Sequence, residues 1–270
     1  MKTKDKEFFR KKRQKQLDNF EIKDHELAIE HYKQIIQKNE NFADAYVNLG
    51  FIYLDKEDFD EALKCFQKIV ELEPDNPEAF NNLGYIYERM DMIDSAKKNF
   101  ARALELNSDD VEAIINIAHI LELQGDYHQA VCQYKKAVSI DQQAVSPHFC
   151  LAVLYDRHDM YDEAVAEYCN ILEANPGHLK SLYNLGRIYF ELGDYTKALH
   201  NFQNVLELDP GNADTWNNLG SIYEITNNYP AAITAYRKSL AINPFHEETN
   251  VNIANIQYLL FLSMLPLLYG

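Results

Sequence analysis

The chain has 270 residues, of which 47% are hydrophobic and 12% aromatic, so a core can form and the class of disordered proteins is excluded. Its formal net charge is -16 at pH 7, and an acidic body repels phosphate backbones, which argues against nucleic acid as a partner. The four cysteines form no CxxC pair, which favours a reducing compartment, and the charged N-terminus lacks the apolar core of a signal peptide. We therefore expect a cytoplasmic protein.

The first 20 residues are predicted to form a basic tail. Residues 1–15 carry a net charge of +6, which leaves -22 on the remainder of the chain. A solvated tail is the simple interpretation. A second interpretation is self-association, in which the tail of one copy docks on the acidic surface of another copy, so a homo-oligomer is a second expectation.

Residues 21–42 are predicted to be a degenerate first repeat. Ala28, Tyr32 and Ile35 have the spacing of a helix and match the second half of the repeats described next. The first half is unclear, because Lys12 and Lys15 occupy positions where a packed helix needs apolar residues.

Between residues 43 and 246 a pattern of 34 residues recurs six times without an insertion. The blocks are residues 43–76, 77–110, 111–144, 145–178, 179–212 and 213–246. Counted from 1 to 34 within a block, position 7 is Leu or Ile, position 8 is Gly or Ala, position 20 is Ala and position 24 is Phe or Tyr. These spacings predict two antiparallel amphipathic helices per block, which we name the A helix and the B helix.

Glycine occupies position 8 in four blocks, as Gly50, Gly84, Gly186 and Gly220. Glycine inside a helix costs roughly 0.5 to 1 kcal/mol relative to alanine, so another interaction has to offset this cost. We expect that the A helix closely approaches its B helix here, with the aromatic side chain of position 24 packed around the small residue.

After residue 246, Ile253 and Ala254 keep the phase of an A helix, and a helix followed by an apolar tail is predicted for residues 247–270. The tail, residues 258–270, is too short for the roughly 20 residues of a membrane-spanning helix. Three interpretations stay open: a cap on the last B helix, a contact with a partner or a membrane surface, and a chain shortened from a longer protein.

The repeat resembles the tetratricopeptide repeat. The resemblance is most complete in the sixth block, which contains Trp216, Leu219, Gly220, Tyr223, Ala232, Tyr236 and Pro244. It implies an all-α fold, a right-handed α-solenoid of antiparallel helix pairs, in which one face of the A helices lines a concave groove for an extended peptide.

Position 6, which belongs to the groove face in this family, is asparagine in nearly every repeat. The series is Asn48, Asn82, Asn116, Asn184, Asn218 and Asn252, and Cys150 interrupts it. An amide can pair with both the C=O and the N–H of a peptide main chain, and the series is similar to that in the repeat regions of O-linked N-acetylglucosamine transferases. The amides could instead serve helix solvation or hydrogen bonds between repeats. Asn81 and Asn217, which precede two of them, predict two local sites in the groove.

Neighbouring positions offer aromatic and basic side chains for specificity. The candidates are Tyr85, Phe149, Tyr183 and Arg187, with Arg157 and Lys180 nearby, and they suit a peptide with acidic and apolar residues. Packing against the adjacent repeat is the other interpretation of the aromatic residues. The family's clamp for chaperone C-termini is not expected, because position 5 holds no lysine and position 6 no arginine.

The predicted function is a non-enzymatic protein–protein interaction scaffold that binds an extended peptide for complex assembly or localisation. The sequence contains no catalytic motif of the common kinds, and we expect no catalytic residues, metal or cofactor. His148 is interpreted as a packed histidine. Two alternatives stay open: the repeat region or accessory subunit of an enzyme such as a peptide glycosyltransferase, and an assembly factor that is peripheral to a membrane.

Overall fold

The computed structural model describes the backbone of residues 25–269 and the side chains of residues 25–262. The predicted basic tail of residues 1–20 and the start of the degenerate repeat lie outside this part of the chain. The chain divides into two compact units, Met1–Gln142 and Gln143–Gly270.

Every regular element in the described part of the chain is an α-helix, which confirms the predicted all-α class of stacked helix pairs. The helices of the first unit are α1 (His25–Lys38), α2 (Ala43–Asp55), α3 (Phe59–Leu72), α4 (Pro77–Arg89), α5 (Ile93–Leu106), α6 (Val111–Leu123) and α7 (Tyr127–Ile140). Those of the second unit are α8 (Val145–Arg157), α9 (Tyr161–Ala174), α10 (Leu179–Glu191), α11 (Tyr195–Leu208), α12 (Ala213–Ile225), α13 (Tyr229–Ile242) and α14 (Glu247–Tyr269).

Within each unit, consecutive helices pack against each other, and the A helices also contact one another. In the first unit α4 contacts α6, and in the second α10 contacts α12 and α12 contacts α14. The six A helices α2, α4, α6, α8, α10 and α12 begin at the first residues of the six sequence blocks. The A helices of these three pairs therefore lie next to each other within their units.

Position 15 lies in the turn between the A helix and the B helix, and it has a left-handed backbone in all six blocks. The φ values are 58° at Glu57, 60° at Asp91, 78° at Gly125, 57° at Asp159, 75° at Gly193 and 59° at Asn227. Glycine adopts this conformation without steric cost, and Asn or Asp tolerate it better than most residues. A polar residue or glycine at this position therefore follows each A helix, which ends after 13 residues.

The expected close approach at position 8 is confirmed. A Cβ atom added to Gly84 would lie 2.5 Å from the ring of Phe100, and one added to Gly220 would lie 2.3 Å from the ring of Tyr236. Both rings belong to position 24 and are fully buried. The packing of a large aromatic side chain against the bare helix backbone offsets the helix-forming cost of glycine.

The C-terminal helix differs from the prediction. We expected a helix followed by a separate apolar tail, but α14 continues through residues 258–269, so no such tail is found. The turn residues of the other blocks are replaced by Leu260-Phe261-Leu262, which favour helix and do not suit a positive φ. Ile256 is buried against Ala232 and Tyr236, so the first half of α14 covers the last B helix. No helix in the described part of the chain is long and apolar enough to cross a membrane.

Candidate functional site

The position-6 asparagines of the first unit are held by hydrogen bonds of two kinds. Asn48 Nδ2 donates to the carbonyl oxygen of Asp44 at 2.7 Å, and Asn82 Nδ2 donates to that of Glu78 at 2.8 Å, one turn back in each helix. Asn116 Nδ2 instead donates to Oδ1 of a residue in the preceding repeat, Asn81, at 2.9 Å. The amides therefore contribute to helix solvation and to the joint between repeats.

In the second unit, all three position-6 asparagines donate to another helix. Asn184 Nδ2 donates to the hydroxyl oxygen of Tyr168 at 2.8 Å, and Asn218 Nδ2 donates to that of Tyr183 at 3.2 Å. Asn252 Nδ2, on α14, donates to Asn217 Oδ1 at 3.3 Å. The hydrogen bonds between repeats that were one interpretation of the series are therefore present.

Asn81 and Asn217 are buried, with exposed fractions of 4% and 1%. Each is the acceptor for the position-6 amide of the next repeat, and Asn217 also accepts from Thr249 Oγ1 at 3.0 Å. A buried amide needs hydrogen-bond partners, and these asparagines find them inside the protein. In this structure they are structural acceptors between helix pairs and do not form the local surface sites suggested by the sequence.

The carbonyl oxygens of the six position-6 amides accept no hydrogen bond from the described residues. Each amide therefore uses one N–H inside the protein and keeps a carbonyl oxygen and a second N–H. Asn82 is nearly buried, whereas the other five side chains are partly exposed. The five exposed amides each present one acceptor and one donor at the surface of an A helix.

The aromatic candidates differ in accessibility. Phe149 is buried, with its ring edge-on to Tyr168 at 5.7 Å and to His178 at 5.4 Å between centroids, which favours the packing interpretation. Tyr85 and Tyr183 are partly exposed. Burial raises the pKa of Tyr183, and the hydrogen bond that Asn218 donates acts in the opposite direction.

The two arginines near these rings are engaged inside the protein. Arg89 donates to the Tyr85 hydroxyl at 2.9 Å and stacks on Phe59 at 5.0 Å from the ring centroid. Arg187 forms an ion pair with Asp156 of the preceding repeat. Burial opposes the charge of Arg187, but the hydrogen bond and charge of Asp156 outweigh it and raise the pKa of the guanidinium.

Asp156 carries an unusual oxygen. Its Oδ2 pairs with Arg187, whereas its Oδ1 is buried without a hydrogen-bond partner. A comparable pair of positions in the first unit holds Glu88 and His119, with Oε1 and Nδ1 at 2.9 Å. Polar side chains at positions 12 and 9 thus connect consecutive repeats in both units, and the charge of Arg187 is largely balanced by Asp156.

Groups with potential chemistry are packed or dispersed in the described part of the chain. His148 is buried with its Nδ1 2.5 Å from Glu167 Oε2, which agrees with a packed histidine. Burial raises the pKa of the Cys65 thiol to about 12, so this cysteine is not a reactive thiolate. No group of His, Cys, Asp or Glu among the described residues has the arrangement of a metal site.

Family models described as tetratricopeptide repeat match residues 43–76, 75–143, 151–199 and 183–247. The chain belongs to the tetratricopeptide repeat family. Tetratricopeptide repeats typically form non-catalytic scaffolds for protein interaction, and the position-6 face of the A helices is therefore a candidate interaction surface. A comparison with curated protein sequences gave no match.

Solved structures with the same fold share little sequence with this tetratricopeptide repeat protein. Pseudomonas aeruginosa PilF has 16% identity and a TM-score of 0.67, over 81% of this chain and 99% of PilF. YrrB, described as a tetratricopeptide repeat protein with an unusual peptide-binding site, has 22% identity and a TM-score of 0.58, over 70% of this chain and 97% of YrrB. The Cut9–Hcn1 structure has 18% identity and a TM-score of 0.64, over 86% of this chain and 46% of the matched chain. Identities this low establish the fold alone.

Proposed function

We propose that the protein is a non-enzymatic scaffold that binds an extended peptide segment of a partner protein along the exposed face of its A helices, for complex assembly or localisation. The observation that carries the proposal is the arrangement of the position-6 amides. Each is held by one N–H, and its carbonyl oxygen accepts no hydrogen bond from the described residues. A side chain that is already oriented loses little conformational freedom on binding, which favours affinity.

The remaining donor and acceptor of such an amide match the C=O and N–H of a peptide main chain. This pairing does not depend on the ligand's side chains, so selectivity has to come from the residues beside the asparagines. YrrB offers a precedent in the same family, since it is described as having a peptide-binding site. We infer the same class of ligand for this chain, bound to either unit separately.

The charge of the surface suggests the composition of the ligand. Lys180 is exposed at the start of α10, whereas the positive charge of Arg187 is balanced by Asp156. Tyr183 adds a partly exposed aromatic ring on the same helix. A mainly apolar segment with few acidic residues therefore fits the second unit better than a strongly acidic segment, in view of a net charge of -16.

The test replaces Asn82, Asn116, Asn184 and Asn218 together by alanine. Partners are captured from a lysate with the wild type and with the variant, compared by quantitative mass spectrometry, and the identified segment is titrated by fluorescence anisotropy. Loss of several hydrogen bonds to the ligand main chain, each worth about 1 kcal/mol, is expected to weaken the affinity at least tenfold.

Tyr168→Phe is the matched control. Tyr168 is fully buried, so this change removes the oxygen to which Asn184 donates without altering the surface. It is expected to lower the free energy of unfolding by about 1 kcal/mol and to leave the affinity nearly unchanged. A quadruple variant that loses stability but binds its ligand normally would show that the amides are purely structural.

A further inference from the structure

The helix α14 is longer than the other A helices. It has 23 residues, whereas α12 has 13, and the difference of ten residues adds about 15 Å of helix. From Thr249 to Gly270 the sequence contains no Asp, Glu, Lys or Arg. The end of the last unit therefore presents an uncharged helix that extends past the usual length.

The two faces of α14 have different surroundings. Thr249 and Ile256 are fully buried against α12 and α13, and Asn252 lies on the same side. The opposite face holds Val251, Ala254, Tyr258 and Phe261, all exposed. We name these four residues the α14 seam.

The seam contains the most exposed large apolar side chains of the described part of α14. The exposed fractions are 58% at Val251, 62% at Tyr258 and 55% at Phe261, compared with 48% at Leu259. The seam residues follow one another at intervals of three, four and three, which is the spacing of positions a and d in a coiled coil. In the sequence, the same spacing continues to Leu265 and Leu268.

Ala254 of the seam occupies position 8, and the other repeats show what this position normally contacts. In α12 position 8 is Gly220, which packs on the ring of Tyr236 in the B helix of the same pair. In α14 it is Ala254, which is exposed. The seam is therefore the face that packs on a B helix in a complete pair, and none of the described residues covers it.

We propose that the α14 seam binds the same seam of a second copy of this chain, so that two α14 helices pair across a twofold axis. A stripe with a and d spacing is self-complementary, as a twofold interface requires. An antiparallel arrangement keeps the acidic first turns, with Glu247 and Glu248, at opposite ends of the helix pair. The pairing is independent of the proposed peptide site, which lies on the position-6 face.

The area that the seam can bury is small for a dimer interface. With about 200 Å² for each aromatic side chain, the exposed parts of Tyr258 and Phe261 from two copies amount to roughly 500 Å². Val251 and Ala254 are smaller and add less, so the total stays below the roughly 1,200 Å² at the lower end of stable interfaces. We therefore expect a dimer that dissociates measurably on dilution.

A membrane surface fits the seam less well than a second copy. Helices that lie in a membrane interface combine an apolar face with a charged polar face, often rich in Lys and Arg, and α14 has no basic residue.

The test measures the mass of the whole chain by multi-angle light scattering over a dilution series. The wild type is expected to approach twice 31.4 kDa at high concentration, and Tyr258→Ser combined with Phe261→Ser is expected to halve that mass. Leu259→Ser is the matched control, because it makes the same kind of change outside the seam and is expected to leave the dimer intact. Val251→Glu is a second seam variant and is also expected to be monomeric. Circular dichroism verifies that each variant is folded.

Two results would overturn the proposal. The first is a wild type that stays monomeric at every concentration. If that monomer also floats with phosphatidylcholine vesicles, the seam binds a lipid surface instead of a second copy. The second is a folded seam variant that keeps the dimer mass, which would place the contact between copies elsewhere.

Discussion

At the scale of single residues, the side chain at position 8 determines how closely an A helix approaches its B helix. A Cβ atom added to Gly50 or to Gly186 would lie 2.7 Å from the ring of Phe66 or of Phe202, which is too close for a carbon atom. Ala118 occupies the same position in α6 and is fully buried, so a helix pair can also be built around a methyl group. In the four pairs that have glycine at position 8, the glycine and the ring are therefore matched in size.

We predict that Gly84→Ala destabilises the protein. Alanine favours helix by up to about 1 kcal/mol, but its methyl group would overlap the ring of Phe100, and overpacking of a core costs about 1 to 3 kcal/mol. The free energy of unfolding, measured by urea titration, should fall by about 1 to 2 kcal/mol. Ala118→Gly is the control and should cost no more than about 1 kcal/mol plus a small packing loss; an increase in stability for Gly84→Ala would contradict the prediction.

The sequence could show that the position-6 asparagines share a helix face, but not which group each amide would bond. The partner lies 35 residues earlier in three cases, as for Asn116 with Asn81. The residue at position 5 of the preceding repeat determines the partner. Where that residue is Asn or Tyr, its side-chain oxygen can accept a hydrogen bond from the position-6 amide of the next repeat. Phe149 has no such oxygen, and Asn184 bonds to Tyr168 instead. The polar residue at position 5 was the signal that sequence reasoning missed.

At the scale of helices, the turn between the two helices of a block is set by two adjacent positions. Position 15 adopts a positive φ, and position 16 is the N-cap of the B helix. Asp58, Asp126, Asp194 and Asn228 each accept a hydrogen bond from a backbone N–H of the following turn. Met92 at the N-cap of α5 makes no side-chain hydrogen bond of this kind.

We predict that Met92→Asn stabilises the protein by about 1 kcal/mol, because asparagine would supply the missing acceptor at the start of α5. Met92 is substantially exposed, so little packing is lost. The measurement is the thermal midpoint together with the free energy of unfolding in urea. Asp126→Ala, which removes an existing N-cap acceptor, should lower stability by a similar amount, and equal stability of Met92→Asn and the wild type would count against the argument.

The regular blocks allowed the helix pairs to be predicted because every block repeats the same apolar spacing. The C-terminal helix did not follow from this pattern, because the repeat spacing is clear only for Ile253 and Ala254 and the apolar residues after them fit either a tail or a helix. Phe261 occupies position 15, where the other blocks have a polar residue or glycine at positive φ. The lack of a turn residue therefore favours helix locally, and the helix continues past Pro266 although a proline there removes one hydrogen bond and crowds the carbonyl one turn back.

At the scale of the whole molecule, the main feature is a large negative net charge. Acidic residues outnumber basic ones by 42 to 26. Several basic side chains are paired with an acid three residues away, as in Lys68–Glu71, Arg102–Glu105 and Lys197–Asp194. Exposed pairs of this kind contribute about 0 to 1 kcal/mol, so they do not offset the repulsion among the remaining acids.

We therefore predict that salt stabilises this protein. The Debye length falls from about 30 Å at 0.01 M to about 8 Å at 0.15 M, which screens repulsion between exposed carboxylates separated by more than one helix diameter. With a net charge of -16, this gain should exceed the loss from screened ion pairs. A gain of about 1 kcal/mol would raise the thermal midpoint by about 2 to 4 °C. Sodium chloride and potassium chloride should act equally if screening is the cause, whereas a midpoint that falls with salt would mean that attractive pairs dominate the surface.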